Sequence, residues 1–496
     1  MKNRRVGIVL SYANTGLSMI TGLYLSSFLL RILGDTEYGI YQTVASFANY
    51  LVLLEFGTGT VITRNLSICR SKGAPQEEVE RNVSTIWTIT CVLATVILAV
   101  SVVFYLALDS VYRQSMTPAQ IAYGKKILVL VTLCLVLSFI QQTFGGVILA
   151  CEDYTFTAKM NIIKTVLRVV LLTGLLLQYQ YSILIAAVDT VLAFCLGGYS
   201  YLYCRTRCKV RFGFRKFDRT IFRDSFPLSA AIFIQALVNQ ANSNVDKFVI
   251  GIKMNPESVA LYSVALYIYT AFSQVSTVPI SMYGPQTIKD VAAGVSGKAL
   301  ADSLAAPCRL VSFLGGGILF GFACVGRQFI EIVYGKNYLL CWPIALIIMF
   351  PMFLNMTTGV LVNVLDAQNR RMARSLALLF TTAANIVLTV LWIDRYGMVG
   401  AALATAVCTL AGQVLFMNAY YDRKMGIPIL YMYKKAFHGI LVFQIMGAVL
   451  ALALGRIISN VYVSFVVCGI VYVVIACAGF YRTDLRPKLR MKSKGK

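Results

Sequence analysis

A single histidine, His438, stands among 496 residues, and that scarcity closes off a good deal of chemistry. No set of imidazoles can hold a metal, and no histidine pair can relay a proton. No G-x-x-x-x-G-K-[ST] loop is present. Gly294-Val295-Ser296-Gly297-Lys298-Ala299 comes nearest, with the wrong spacing and no hydroxyl after its lysine, so the chain carries no ATPase of its own. Cys204 and Cys208 sit one helical turn apart, yet neither a second pair nor a histidine completes a zinc site. Long polar stretches are missing too. The longest break in hydrophobicity is 204–224, and the longest connection on the opposite side lies near 109–126. Neither can hold the catalytic groups of a membrane polymerase or ligase, so the expectation is a non-enzyme without cofactor or metal.

What is present is apolar. Hydrophobic residues make up 58% of the chain and charged residues 13%, the composition of a polytopic membrane protein. Fourteen stretches are long enough to cross a bilayer as helices: 6–30, 39–63, 83–108, 127–149, 158–178, 181–203, 226–252, 258–284, 303–325, 339–363, 374–393, 397–420, 437–455 and 461–481. Residues 2–5 are basic and no small-residue cleavage motif follows the apolar run after them, so the first span is expected to be retained.

Positive charge alternates along the connections. Of the 45 lysines and arginines, 32 fall at the N-terminus, in every second connection or in the tail; nine fall in the opposite connections, and four (Lys164, Arg168, Lys247, Arg309) within spans. Basic residues stay cytoplasmic, which predicts an even helix count with both termini inside. The net charge of +24 is then a consequence of topology and of attraction to anionic membrane lipids, not a nucleic-acid footprint. For the basic connection at 204–223 a solvated loop is the default reading, with contact to phosphate-bearing lipids as the alternative.

The two halves resemble one another. Gly34-Asp35-Thr36-Glu37-Tyr38-Gly39-Ile40-Tyr41 matches Asn255-Pro256-Glu257-Ser258-Val259-Ala260-Leu261-Tyr262 in register. Tyr181-Ser182-Ile183-Leu184-Ile185-Ala186-Ala187 matches Tyr396-Gly397-Met398-Val399-Gly400-Ala401-Ala402. Six helices per repeat gives both halves the same orientation, hence an all-α fold of two parallel six-helix lobes around a central cavity, plus two C-terminal helices. The expected boundaries are 1–204 and 225–424 for the lobes, 205–224 for a basic cytoplasmic linker, 425–482 for the last two helices and 483–496 for a basic tail.

Charges at membrane depth cost at least ~2.5 kcal/mol each on insertion scales, so each needs a reason. In the seventh span Gln235, Asn239, Asn242 and Asp246 share one helical face, widened by Ser243. Interhelical hydrogen bonding is one reading; the width of the stripe favours a water-lined cavity. Lys164 and Arg168 lie one turn apart in the fifth span with Asn161. They are candidates to meet an anion, or to snorkel to the interface. Glu55, Asp189 and Arg309 complete the intramembrane set, with Glu55 open to a proton or sodium role or to pairing with a cation. Arg31, at the outer end of the first span, is either a lumen cation or an interface anchor.

The run Leu30-Arg31-Ile32-Leu33-Gly34-Asp35-Thr36-Glu37-Tyr38-Gly39-Ile40-Tyr41, followed by Leu54-Glu55-Phe56-Gly57-Thr58-Gly59, resembles the first hairpin of polysaccharide-exporting flippases. Those belong to the multidrug/oligosaccharidyl-lipid/polysaccharide superfamily. Val245-Asp246-Lys247, Ala260-Leu261-Tyr262-Ser263, Pro285 and the run from Tyr396 to Thr405 resemble the same pattern. Where that family often has Asp before its Phe-Gly pair, this chain has Glu55. The resemblance implies transfer of an undecaprenyl-diphosphate-linked oligosaccharide from the cytoplasmic to the outer leaflet of a bacterial inner membrane, for O-antigen, capsule or exopolysaccharide synthesis. On that reading Arg31, Lys164, Arg168 and Arg309 meet diphosphate, the seventh-span stripe meets sugars, and Glu55, Asp189 or Asp246 couples H+ or Na+ or pairs with a lumen cation. A polymerase and glycosyltransferases are the implied protein partners. A drug/cation antiporter and a peptidoglycan lipid-precursor flippase of the same fold remain alternatives.

Reporter fusions after residues 115, 215 and 490 are expected to read outside, inside and inside. An outside signal at 215 overturns the arrangement.

Overall fold

A computed structural model describes residues 2–55, 57–71, 75–151, 153–214, 217–224, 226, 233, 245–368 and 370–485. Among them the chain is helical, without strands. Eleven helices among the described residues are long and apolar enough to cross a membrane. Two of the eleven, Gly16–Leu51 and Met372–Met425, each hold two helices joined at a glycine. Gly34 (φ 76°, ψ 174°) and Gly397 (φ 57°, ψ −141°) leave helical geometry there. Both lie in the segments that the sequence matched between halves. Most of the expected span 226–252 lies outside the described residues.

The chain divides into two compact units, Met1–Ala260 and Leu261–Lys496. In the first, α1 (Lys2–Leu51) is followed by a 3-10 turn (Val52–Glu55) and by α2 (Thr58–Ser71). The second span, expected to run unbroken over 39–63, is therefore interrupted. Gly57 sits in the break with φ 63°, a left-handed conformation that glycine adopts without a Cβ penalty. Then come α3 (Gln76–Tyr112), α4 (Pro118–Ala150), α5 (Tyr154–Gln178) and α6 (Ile183–Thr206), and α7 at 245–253. Local chemistry sets several starts. Thr117 and Gln120 form a capping box ahead of Pro118, and Asp153 caps α5 by accepting from the Phe156 amide at 3.0 Å.

Between membrane helices there is no hydrophobic driving force, so close packing and hydrogen bonds do the joining. α2 and α4 show this. A Cβ built on Gly146 would lie 2.4 Å from the Gly59 carbonyl oxygen and 2.5 Å from Ile62. The Thr63 hydroxyl donates to the Gly146 carbonyl at 2.9 Å across the same seam. Near Gly34, Thr36 donates to Glu257 at 2.7 Å, joining two residues that occupy the same position in the matched segments. Glu37 accepts from the Ser182 amide and hydroxyl at 3.1 and 2.8 Å, holding the start of α6.

The basic connection after α6 departs from a fully solvated loop. Its inner face packs: Cys208 and Val210 are buried, and Phe212 joins Trp87, Phe144 and Tyr201 in an aromatic cluster. Gln76 donates to the Lys209 carbonyl at 3.0 Å, and the Asp218 amide donates to Thr85 at 2.9 Å. Asp218 accepts from the Thr220 amide at 2.8 Å; that bond, with Arg81 nearby, holds its carboxyl below the usual aspartate range. The alternation of small or apolar residues with cations lets residues 207–214 lie down as a strap on the ends of α3, α4 and α6.

In the second unit α8 (Pro256–Ala292) continues from the boundary. It is followed by α9 (Gly297–Ser303), α10 (Ala305–Val333), α11 (Cys341–Thr357), α12 (Leu361–Ala367) and α13 (Arg371–Cys408). A π-helical stretch, Thr409–Phe416, leads into α14 (Met417–Met425), α15 (Ile429–Phe437), α16 (Ile440–Ile457) and α17 (Val461–Phe480). The expected tenth span, 339–363, breaks after Thr357. The last two helices dock on α10 by side chains that bond to its backbone. Buried Gln444 donates to the Phe313 carbonyl at 3.0 Å, and Tyr472 donates to the Gly317 carbonyl at 2.9 Å.

Gly146→Ala is expected to destabilise the protein by about 1–3 kcal/mol, because the added methyl meets backbone on α2. Thermal unfolding of purified variants measures it, with Gly145→Ala, which meets nothing within 4 Å, as the control.

Candidate functional site: a cavity at the break in the second span

The interruption between α1 and α2 opens onto a cavity of about 840 Å³ inside the first unit, within the size range of small-molecule sites. Three polar stripes at helical spacing converge on it. From α2 come Thr60, Thr63 and Arg64; from α4, Ser138, Gln141, Gln142 and Gly145; from α5, Thr157, Met160, Asn161 and Lys164. Offsets of three, four and seven residues put each set on one face of its helix. Glu55 closes the 3-10 turn at the same wall. Backbone that leaves helical geometry at membrane depth is tolerated where it lines protein or a water-filled cavity, and the break is placed accordingly.

The charges are the telling feature. Glu55, Arg64 and Lys164 all line the cavity, and among the described residues none of the three forms an ion pair or a hydrogen bond. Two cations and one carboxylate therefore face a shared space without a partner among the described residues. Around them the amides of Gln141, Gln142 and Asn161 and several hydroxyls offer donors and acceptors together. Such a lining suits an anion attached to a hydroxyl-rich group. No group of three or more metal-ligating side chains occurs among the described residues.

The other candidates from the sequence are placed elsewhere. Arg168 binds Asp189 on α6 through two parallel bonds, Nε to Oδ1 at 2.6 Å and Nη2 to Oδ2 at 2.8 Å, so these two charges are matched within the unit. Arg309 donates to the Lys435 and His438 carbonyls at 2.7 and 3.2 Å. It thereby caps the end of α15 in the second unit. Arg31 is exposed near Gly34 and is not part of the cavity wall. Asp246 is buried on α7, also off the wall. Gln235, Asn239, Asn242 and Ser243 lie outside the described residues.

Sequence reasoning missed Arg64, counted among the loop cations, and the α4 stripe. The signal for the stripe was there: Ser138, Gln141, Gln142 and Gly145 have the spacing that marked the seventh span. Arg64 has the same spacing from Thr60 and Thr63, but it stands one residue past the expected end of the span at 63 and so read as a loop cation.

Fold and site together define a polytopic membrane protein with a polar, charged cavity inside its first unit. The profile of the family described as polysaccharide biosynthesis protein matches residues 1–283, more than half of the chain, and the protein belongs to that family. Its fold is that of solved flippases and transporters of the superfamily named above. A lipid II flippase MurJ in an inward closed conformation is 18% identical, with a TM-score of 0.72 over 96% of this chain and 99% of that one. An inward-facing multidrug resistance MATE family transporter of the MOP superfamily is 12% identical, with a TM-score of 0.62 over 87% and 97%. The Vibrio cholerae MATE transporter VcmN in its bent form is 13% identical, with a TM-score of 0.54 over 85% and 97%. Among curated proteins no sequence matches.

The pair Arg168–Asp189 is expected to act as a structural unit. Asp189→Ala and Arg168→Ala should each lower the unfolding midpoint. The double variant should recover part of the loss, a coupling of about 1 kcal/mol after allowance for the partly exposed arginine. Strict additivity in this double-mutant cycle would show that the two charges act independently.

Proposed function

We propose that the protein is a flippase that moves an undecaprenyl-diphosphate-linked oligosaccharide from the cytoplasmic to the outer leaflet of a bacterial cytoplasmic membrane, for surface polysaccharide synthesis. The observation that carries this reading is the set of charges Glu55, Arg64 and Lys164, without an ion-pair partner among the described residues, on one cavity wall among amides and hydroxyls. A diphosphate and its sugars cannot enter hydrocarbon without losing hydration worth many kcal/mol. Cations and hydrogen-bonding groups in a shielded cavity replace that hydration, while the polyprenyl tail stays in lipid. Arg64 and Lys164 meet the diphosphate, the α4 stripe and Asn161 meet sugar hydroxyls, and Glu55 takes the coupling proton or sodium ion. Membership in a polysaccharide biosynthesis family and likeness in fold to a lipid II flippase support a lipid-linked substrate. The excess of cations over acids among these three residues favours an anion over a cationic drug. A polymerase and glycosyltransferases working on the same intermediate are the partners this function requires, and both termini face the cytoplasm on the charge bias of the connections.

The test is export in cells whose own flippase for the glycan has been replaced by variants. Arg64→Ala and Lys164→Ala should each lower surface polysaccharide about tenfold or more, the loss of one charge-assisted contact of roughly 1.5–3 kcal/mol. Lipid-linked intermediate should accumulate inside while protein levels hold. Glu55→Gln should flatten the dependence of export on the proton or sodium gradient. Undiminished surface glycan in both cation variants would overturn the assignment. Rescue of a peptidoglycan-precursor flippase deletion instead would redirect it to that substrate.

A further inference from the structure

The strap that follows α6 carries cations for which the fold gives no use. Its inner face holds Cys208, Val210 and Phe212 against the first unit. Arg207, Lys209 and Arg211 are exposed on its outer face, as are Arg205 in the last turn of α6 and Arg219 and Arg223 further along the chain. Of these six, only Arg223 lies within ion-pair distance of an acid among the described residues, Asp224 at 3.9 Å. Aromatic side chains stand among them: Phe214, Phe217 and Phe222 are 61%, 49% and 38% exposed. Rings left in water beside a row of cations are costly in aqueous solution and suited to a bilayer interface, where apolar rings enter the headgroup boundary and cations meet phosphates.

The backbone adds an independent sign. Lys209 has φ 55°, and no other non-glycine residue among those described has a positive φ. It stands just past the end of α6, where a left-handed residue stops the helix and glycine is the usual occupant. A lysine there keeps an outward cation at the expense of a strained turn, the kind of outlier from which a functional reason is inferred. Position supplies the partner. The strap continues directly from α6, a helix long and apolar enough to span, whose exposed Tyr199 and Leu202 precede it. Its outer face is therefore held at the level where that helix leaves the hydrocarbon.

We propose that the outer face of the strap, centred on Arg207, Lys209 and Arg211, is a docking surface for the phosphate headgroups of anionic glycerophospholipids in the leaflet where α6 ends. The strap is thus a membrane-bound brace that fixes the end of the first unit to its own leaflet. This site is separate from the cavity, and it stands or falls independently of the transport reading.

The experiment uses full-length protein in nanodiscs of phosphatidylcholine alone or mixed with phosphatidylglycerol, with bound lipids counted by native mass spectrometry. Wild type should retain phosphatidylglycerol over phosphatidylcholine, with the preference falling as salt rises. Arg211→Gln should weaken that preference about fivefold, the share of one cation near an anionic surface. Lys209→Gly separates binding from structure. It should weaken the preference to a similar degree while raising the unfolding midpoint in phosphatidylcholine discs by about 1–2 °C, because the strained turn is relieved. Wild-type retention of phosphatidylglycerol in both variants overturns the proposal. So does equal competition by inorganic phosphate at the same headgroup concentration, which would make this a site for soluble anions.

Discussion

Water is absent from the hydrocarbon core, and every polar group placed there must find its partner inside the protein or in a cavity. The fold answers that demand first with helices, whose backbone groups satisfy one another. It answers next with side chains that turn back on their own helix. Buried Thr43, Thr90, Ser101, Ser276 and Thr357 each donate to the carbonyl four residues earlier, at 2.7–2.9 Å. Hydroxyls satisfied in this way cost little in an apolar seam and leave the helix intact. They account for many of the polar residues in the spans without any appeal to function.

The charges divide on the same principle. Arg168 with Asp189, and Arg309 with two carbonyls at the end of α15, have protein partners at hydrogen-bond distance. A half-buried pair of this kind gives back in desolvation much of what its attraction gains, so its net contribution is modest. Glu55, Arg64 and Lys164 have no such partner among the described residues, and they share one cavity. The same Lys164 and Arg168, one turn apart on α5, fall on opposite sides of this division. Chemical type did not separate them; the acid on α6 did, by claiming the deeper of the two cations.

This is also where the sequence stops being legible. Hydrophobic length and the alternation of basic connections reveal the membrane class and most of the spans, because both are one-dimensional properties. The junctions at Gly34 and Gly397 could be read because a glycine stood in matched segments of the two halves. The break that begins at Val52 was hidden. Its residues are apolar enough to pass for the middle of a span, and only the left-handed Gly57 exposes the change of direction. The strap was misjudged for a related reason. Its charge content reads as solvated, whereas alternate residues pack inward against Trp87 and Phe144, contacts no local pattern can announce.

The break in the second span and the seam beside it depend on one another. α2 restarts at Thr58, and at the next residue, Gly59, its carbonyl comes so close to Gly146 of α4 that a Cβ on Gly146 would lie 2.4 Å from that oxygen. That contact fixes the rotation of α2 about its axis. Thr63 then reaches the Gly146 carbonyl while Thr60 and Arg64, on the adjacent face, turn toward Gln141, Gln142 and Lys164 around the cavity. A bulkier seam would push α2 outward and carry Arg64 with it; an unbroken second span would leave no freedom to set that rotation separately from α1. The small residues of the seam therefore serve the charges of the cavity. The apolar packing of α2 on α4 and the polar chemistry beside it are two consequences of a single backbone approach.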